Sequence, residues 1–379
     1  MTAATLPAQT TAARLVSIDA FRGLTMAAMV IVNNPGDWGN VYWPLLHAPW
    51  HGLTPTDLIF PFFLFIVGVS IPLSRRNASV SAILKRALLI FALGMLLALY
   101  PRFDFATVRI PGVLQRIALC YLAVALFHRT ISRRDTLQPV LPALITTALI
   151  LIGYWLLVMR DLTPDGNLGA AIDRAIFGPH LWRQGRTWDP EGLLSTLPAI
   201  GTTLTGLAAG YVVIGNWPSR DKLRALSIAA VIAIAAGLAW STIFPLNKSL
   251  WTSSYVLVTS GLAALALAGL HWAFDGVARS FSSGAPFSSG SRLAQPFVIL
   301  GRNALLLFVV SGLLAKTLAL IRVDNGQSGT MALGRWLYVS WFAPFAAPKV
   351  ASLLFAFANL AVLFVLLWWL HRRRWYFRV

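Results

Sequence analysis

The 379-residue chain is 57% hydrophobic and only 12% charged, about half the charged fraction of a soluble domain, which excludes an ordinary water-soluble fold. Its formal charge of +18 could suit nucleic acid, but the arginines form neither a groove nor a basic domain, so no nucleic-acid partner is expected. The single Cys120 lies inside an apolar run, which excludes an intrachain disulfide framework and a cysteine-rich metal site; no metal is expected.

Residues 1–13 are uncharged, lack the basic region of a cleavable signal peptide, and read as a disordered tail. Ten apolar runs follow, at approximately 18–33, 56–74, 83–100, 112–128, 138–158, 193–214, 223–243, 251–271, 296–320 and 350–370. Runs of about 20 residues cross about 30 Å of hydrocarbon as helices. The prediction is an all-α, polytopic transmembrane helical bundle of about ten helices, forming one integral-membrane domain over residues 1–379. The Ser/Gly-rich stretch 280–291 reads as a flexible cytoplasmic linker. Within residues 321–349 the stretch Trp336–Phe345 is apolar but short, with Pro344 in it and Pro348 just beyond, so residues 331–346 are expected as a re-entrant or interfacial helix rather than a span.

Charge sets the orientation. With the amino terminus inside, the cytoplasmic segments hold 17 Lys and Arg, against 10 in the longer opposite loops. The positive-inside rule then puts both termini in the cytoplasm, and His47 and His51 on the far side.

The chemistry falls in those outward loops. HAPWHGLTPTDLIFPFFLFIVG, residues 47–68, sets two imidazoles and a carboxylate at the mouth of an apolar run. Thr54-Pro55-Thr56-Asp57 has the form of a helix start, with Asp57 completing a capping box. The same carboxylate can orient a histidine ring. Trp38, Trp43 and Trp50 occupy a loop, residues 34–55, that has no Lys or Arg. They suit a sugar face or an interfacial belt. Asn33 and Asn34 end the first helix, either as a C-cap pair or as donors to a carbonyl oxygen. Asp19 and Arg22 can pair at its inner end, where an intramembrane Arg also suits an anionic ligand.

VRIPGVLQR places Arg109 before a turn and Gln115 and Arg116 inside the next helix. A buried Arg needs partners, and Asp189 and Glu191 of WDPEG are candidates, although Asp189-Pro190 also reads as a helix cap. FPLNKSLW adds Asn247, Lys248 and Trp251 on the same outer side. These distant segments are expected to converge on one site.

SIDAFRGLTMAAMVIVNN, HAPWHGLTPTDLIFPFFLFIVG, VRIPGVLQR, DPEGLL and FPLNKSLWTSSYVL together resemble the membrane domain of the heparan-alpha-glucosaminide N-acetyltransferase family. The blocks run in order from about residue 14 to 260, and more weakly through GRNALL to the end. The resemblance implies an acetyltransferase that takes acetyl groups from cytosolic acetyl-CoA and delivers them to a terminal glucosamine amine across the membrane. For a bacterial relative this is the inner membrane, with the active histidine facing the periplasm. That histidine belongs to H-x-x-W-x-G-L-T-x-x-D-L-x-F-P, which maps onto His47; His51 stands where the animal enzymes carry Asn. The family's V-N pair maps onto Asn33, and its G-x-N onto Asn303.

On this reading His47 either deprotonates the amine or forms an acetyl-imidazole with ping-pong kinetics; the sequence leaves both open. Asp57 orients His47, and Asn33 stabilises the oxyanion. Trp50, His51, Arg109, Gln115, Arg116, Asp189, Glu191, Asn247, Lys248 and Trp251 make the acceptor site. Asp19, Arg22, Arg302 and Asn303, with the carboxyl-terminal arginines, receive the CoA end, Arg302 by topology alone. The partners are acetyl-CoA, an amino sugar and the bilayer, with a homodimer left open. The rival readings are an amino-sugar transporter and a membrane O-acetyltransferase acting on envelope glycan.

Overall fold

A computed structural model describes residues 15–74, 79–132, 139–275, 289–324 and 329–377. Among them run thirteen α-helices and one two-stranded hairpin. Helices dominate because a segment in hydrocarbon must satisfy its backbone polar groups internally. They are α1 (Val16–Asn33), α2 (Ile59–Ser70), α3 (Val80–Leu99), α4 (Val113–Ser132), α5 (Val140–Val158) and α6 (Leu168–Phe177). Next come α7 (Thr196–Ile214), α8 (Ser219–Trp240), α9 (Ser253–Phe274), α10 (Ser289–Arg302), α11 (Ala304–Leu320), α12 (Leu333–Trp341) and α13 (Pro348–Arg372).

All ten apolar runs are helical, but fewer have the make-up of a full span. Seven described helices are long and apolar enough to cross a membrane: α1, α3, α5, α7, α8, α9 and α13. The run 296–320, expected as one helix, is broken by 75° between α10 and α11, and counts as an eighth span only if the bent pair is one. The break falls at Asn303, whose Oδ1 accepts from Phe377 N at 3.0 Å and whose Nδ2 faces Trp375 O at 3.3 Å. The run 56–74 begins as a 3-10 turn, Pro55–Leu58, and its α-helix stops at Ser70, two residues before Pro72. Twelve residues rise only about 18 Å. Helix α4 has the length of a span but carries Gln115, Arg116, His128 and Arg129.

The expectations for residues 1–13 and 280–288 fall outside the described residues; Ser289–Ser291, read as linker, open α10. Between α11 and α12, β1 (Arg322–Asp324) pairs antiparallel with β2 (Thr330–Ala332), Val323 opposite Met331. The nine residues of α12 rise about 14 Å and cannot cross a bilayer.

The bundle has an inner and an outer ring. In α1 and α7, 67% of the apolar window is buried, against 22% in α3 and α5 and 17% in α8. Exposed faces such as Val231 and Ile232 of α8 are apolar, as lipid contact requires. Glycines set the tightest crossings. A Cβ on Gly206 of α7 would stand 2.1 Å from Phe65 O of α2, and one on Gly23 of α1 would stand 1.8 Å from Phe297 O of α10. Any larger side chain there would force the helices apart. Helix α1 begins on a borrowed cap: Asp275, at the end of α9, accepts from Val16 N and Ser17 N at 2.9 Å each.

Candidate active site

The loop before α2 is folded around one carboxylate. Asp57, 1% exposed, accepts at Oδ2 from Thr54 N (3.0 Å) and Ala48 N (3.1 Å), and its Oδ1 stands 2.7 Å from His47 Nδ1. An ionised carboxylate only accepts, so Nδ1 carries the proton and Nε2 is the ring's basic nitrogen. The capping role and the pairing with histidine are thus met by different oxygens of the same residue. The His47 side chain is half exposed, into a cavity of about 600 Å³.

Lys248, from the connection between α8 and α9, reaches the same ring. Its Nζ lies 3.2 Å from both nitrogens of His47 and 4.0 Å from Asp57 Oδ1. Burial lowers its pKa, against the charges of Glu191 and Asp57, which raise it. Asn33 closes α1 at the rim of the cavity and makes no side-chain hydrogen bond among the described residues. Its neighbour Asn34 takes the capping task instead, donating to Val30 O at 2.7 Å.

Facing His47 stands an ion cluster. Arg109 donates from Nε to Asp189 Oδ2 at 2.9 Å and from Nη2 to Asp189 Oδ1 and Glu191 Oε2. Asp189 also accepts from Trp182 N and Glu191 N at 2.9 Å each, so the arginine pins the loop to the start of α4. Burial acts to lower the Arg109 pKa, but the two carboxylates outweigh it and raise it; Glu191 is correspondingly held low. Arg109 and Glu191 line the cavity, whereas the Asp189 side chain is sealed beneath it.

Several predicted acceptor contacts lie elsewhere. Asn247 is fully buried and its Oδ1 accepts from Leu250 N at 2.8 Å, closing its own turn. His51 points to Asn247 Nδ2 at 3.3 Å, outside the cavity wall. Trp251 is buried beneath the site and donates to Thr202 Oγ1 at 3.1 Å. Gln115 packs on α3, 3.4 Å from Met95 Sδ. Arg116 is fully buried, donates to Gly192 O at 2.9 Å and to Ser195 Oγ, and lies 5.2 Å over the Trp251 ring. It is not the partner of Asp189 and Glu191; Arg109 is. These residues support the site from below.

Of the three tryptophans that suited either a sugar face or an interfacial belt, only one enters the cavity wall. Trp50 lines the cavity, its Nε1 donating to Leu162 O at 2.8 Å, but Trp38 and Trp43 are 63% and 65% exposed and take no part. Trp182 and Trp188 stand in their place, Trp188 edge-on to Trp50 at 5.0 Å and to Trp182 at 5.3 Å. Trp188 directly precedes DPEG and Trp182 lies six residues before it, with no periodicity to mark either as part of a wall.

A second cavity, about 270 Å³, lies behind the first and shares Phe63 and Ile117 with its wall. Arg22, Arg86 and Arg302 line it. Arg22 is held by Asp19 Oδ1 at 3.3 Å and Ser70 Oγ at 2.7 Å, while Arg302 donates to Tyr376 OH at 3.0 Å. Asp19 and Asn303 are buried outside the lining, as positioning groups. Among the described carboxyl-terminal arginines none lines it, Arg372 and Arg373 lying over Trp368 and Trp369; Arg378 lies outside the described residues. Arg86, which reaches the cavity over the Tyr121 ring at 4.6 Å, did not stand out in the sequence.

The fold and site define an all-α, polytopic membrane protein with a His–Asp pair opening into one cavity and arginines lining the cavity behind it. The family model described as heparan-alpha-glucosaminide N-acetyltransferase, catalytic, matches residues 14–244, and the chain belongs to this family of acetyltransferases. The human heparan-alpha-glucosaminide N-acetyltransferase is 29% identical over 363 residues, covering 78% of this chain and 52% of its own. The mouse protein of the same name is also 29% identical, over 370 residues, covering 79% of this chain and 54% of its own. The chain therefore spans about half the length of these curated relatives.

Proposed function

We propose that the protein moves the acetyl group of cytosolic acetyl-CoA to the amine of a glucosamine-type sugar on the periplasmic side of a bacterial inner membrane. The observation that carries this reading is the shared wall at Phe63 and Ile117, which joins the His47 cavity to a cavity lined by three arginines. Acetyl-CoA supplies a thioester at one end and phosphates at the other. Arg22, Arg86 and Arg302 suit the phosphates by charge and by the planar fork of guanidinium. The charge bias of the loops supports cytoplasmic termini, and so an inner face for these arginines.

His47 Nε2 takes a proton from the sugar amine as the nitrogen attacks the acetyl carbon. Asp57 stabilises the imidazolium that forms, and Asn33 Nδ2 donates to the developing oxyanion. The proton then passes to the departing thiolate. Trp50, Trp182 and Trp188 offer apolar faces to the sugar, with Glu191 and Lys248 beside them. Direct attack needs no covalent carrier when the thioester reaches the outer cavity, and we favour it over an acetyl-imidazole.

Purified protein incubated with labelled acetyl-CoA and glucosamine tests the reading. Labelled N-acetylglucosamine is expected from the wild type and not from His47→Ala. Glucosamine uptake into vesicles without acetyl-CoA, and no acetylation, would favour a transporter; label on a hydroxyl would favour an O-acetyltransferase.

A further inference from the structure

Lys248 carries the only side-chain amine in the lining of the His47 cavity; none of the other four lysines of the chain reaches it. Its partners set it apart from Lys222 and Lys316, which donate to backbone carbonyls, Val213 O at 2.7 Å and Tyr100 O at 2.8 Å. Among the described residues no carbonyl or carboxylate lies within hydrogen-bond distance of Lys248 Nζ. Asp57 Oδ1 stands 4.0 Å away, and the two nitrogens of His47, at 3.2 Å each, are the closest polar contacts. Because Asp57 holds the Nδ1 proton, Nε2 is the base beside this amine. The separation is within the reach that general-base transfer needs. Burial, with the charge of Arg116, lowers the Lys248 pKa against Glu191 and Asp57, which favours the neutral, nucleophilic form.

The lysine thus stands to His47 as the proposed acceptor amine must. A sugar amine and a lysine amine are the same functional group, and a thioester that reaches this cavity meets Lys248 when no sugar is bound. We infer that Lys248 is a self-acetylation site, modified by the bound acetyl thioester when the acceptor is absent. The inference rests on the proposed acetyl transfer at His47. The Nζ lone pair forms the new bond to the acetyl carbon, the carbon–sulfur bond breaks, and its electron pair leaves on sulfur. His47 Nε2 takes the proton that the nitrogen loses and returns it to the thiolate, so the products are Nε-acetylated Lys248 and free CoA. The amide is neutral and no longer nucleophilic, and its acetyl group fills the space beside Nε2 that an acceptor amine needs. A protein supplied with donor but starved of acceptor therefore closes its own site.

Purified protein in neutral detergent, incubated with deuterium-labelled acetyl-CoA and no sugar, tests this by peptide mass spectrometry. Lys85 and Lys349, both exposed, report the uncatalysed rate in the same sample. Lys248 is expected to take label about 10²-fold faster than either, the lower end of general-base catalysis. Its amide survives hydroxylamine, which strips an acetyl-imidazole. Glucosamine acetylation, assayed afterwards, is expected to fall in step with the label on Lys248. Glucosamine present from the start should protect Lys248, and His47→Ala should bring its labelling down to the rate of Lys85. Labelling of Lys248 no faster than that of Lys85 and Lys349 overturns the inference even if glucosamine is acetylated. Hydroxylamine-sensitive label on His47 alone also overturns it, and assigns the acetyl group to the imidazole. So does label on Lys248 that neither glucosamine nor His47→Ala reduces. If neither Lys248 nor glucosamine is acetylated, the underlying reading falls, and the inference with it.

Discussion

His47 Nδ1 and Asp57 Oδ1 stand 2.7 Å apart, while the other oxygen of Asp57 holds the first turn of the helix that follows. One buried carboxylate thus anchors both the backbone and the imidazole of a histidine that lines the cavity, with Lys248 Nζ 3.2 Å from Nε2. Asp57→Asn keeps an oxygen that can accept from Thr54 N but loses the charge that stabilises an imidazolium. We expect acetyl transfer to fall about 10²- to 10⁴-fold with the fold retained. Near-normal kcat/KM in a folded Asp57→Asn protein would reduce Asp57 to a helix cap. Asp57→Ala should also lose about 1 kcal/mol of stability through the cap.

Arg109 has a structural task separable from catalysis. Replacing it with Ala leaves Asp189 and Glu191 without their cation, and Asp189 is sealed from solvent. Removing one partner of a fully buried pair costs about 3–5 kcal/mol; because Arg109 is 29% exposed, about 2 kcal/mol is the better expectation. Thermal unfolding of Arg109→Ala measures it, and Arg109→Lys should recover only part, since an ammonium cannot match the forked contact.

Asp173, on α6 beneath the WDPEG loop, gives the protein a pH-dependent stability. Burial, with the charge of Asp189, pushes its pKa from 3.8 up to about 6, against the Leu193 N–H and Arg116, which lower it. The folded state then holds a proton that the unfolded state has already released, so stability falls as pH rises from about 4 to 6 and stays lower above. Asp173→Asn removes the charge and should raise stability at pH 7 by about 1–3 kcal/mol, with a flatter dependence through that window. A variant whose melting temperature follows the wild type at every pH would contradict this.

The arginine-lined cavity should act on the donor alone. Arg86→Ala is expected to raise the KM for acetyl-CoA about 5- to 30-fold, the worth of one charge-assisted contact to phosphate, and to leave the KM for the sugar unchanged. Equal effects on both substrates would place Arg86 outside the donor path.

What could be read from the sequence was local or set by charge. The His47–Asp57 pair spans ten residues and carries the signature of a helix start. The meeting of Arg109 with WDPEG across eighty residues followed from both lying on the side with fewer basic residues. Facing was harder. Asn247 and Trp251 lie in the right segment, yet one closes its own turn and the other turns into the core. Trp182 and Trp188 sit in a loop without periodicity, so no pattern marked them as a wall in place of Trp38 and Trp43. The break at Asn303 depends on Trp375 and Phe377, more than seventy residues away, and nothing within the run 296–320 announced it.

Transfer across the membrane through His47 is most directly tested in sealed proteoliposomes of uniform orientation. Labelled acetyl-CoA is placed only on the side of Arg22, Arg86 and Arg302, and glucosamine only on the side of His47. The account predicts N-acetylglucosamine on the His47 side, free CoA on the arginine side, and neither product with His47→Ala. Product that forms only when both substrates share one compartment, or that forms equally well with His47→Ala, would contradict it.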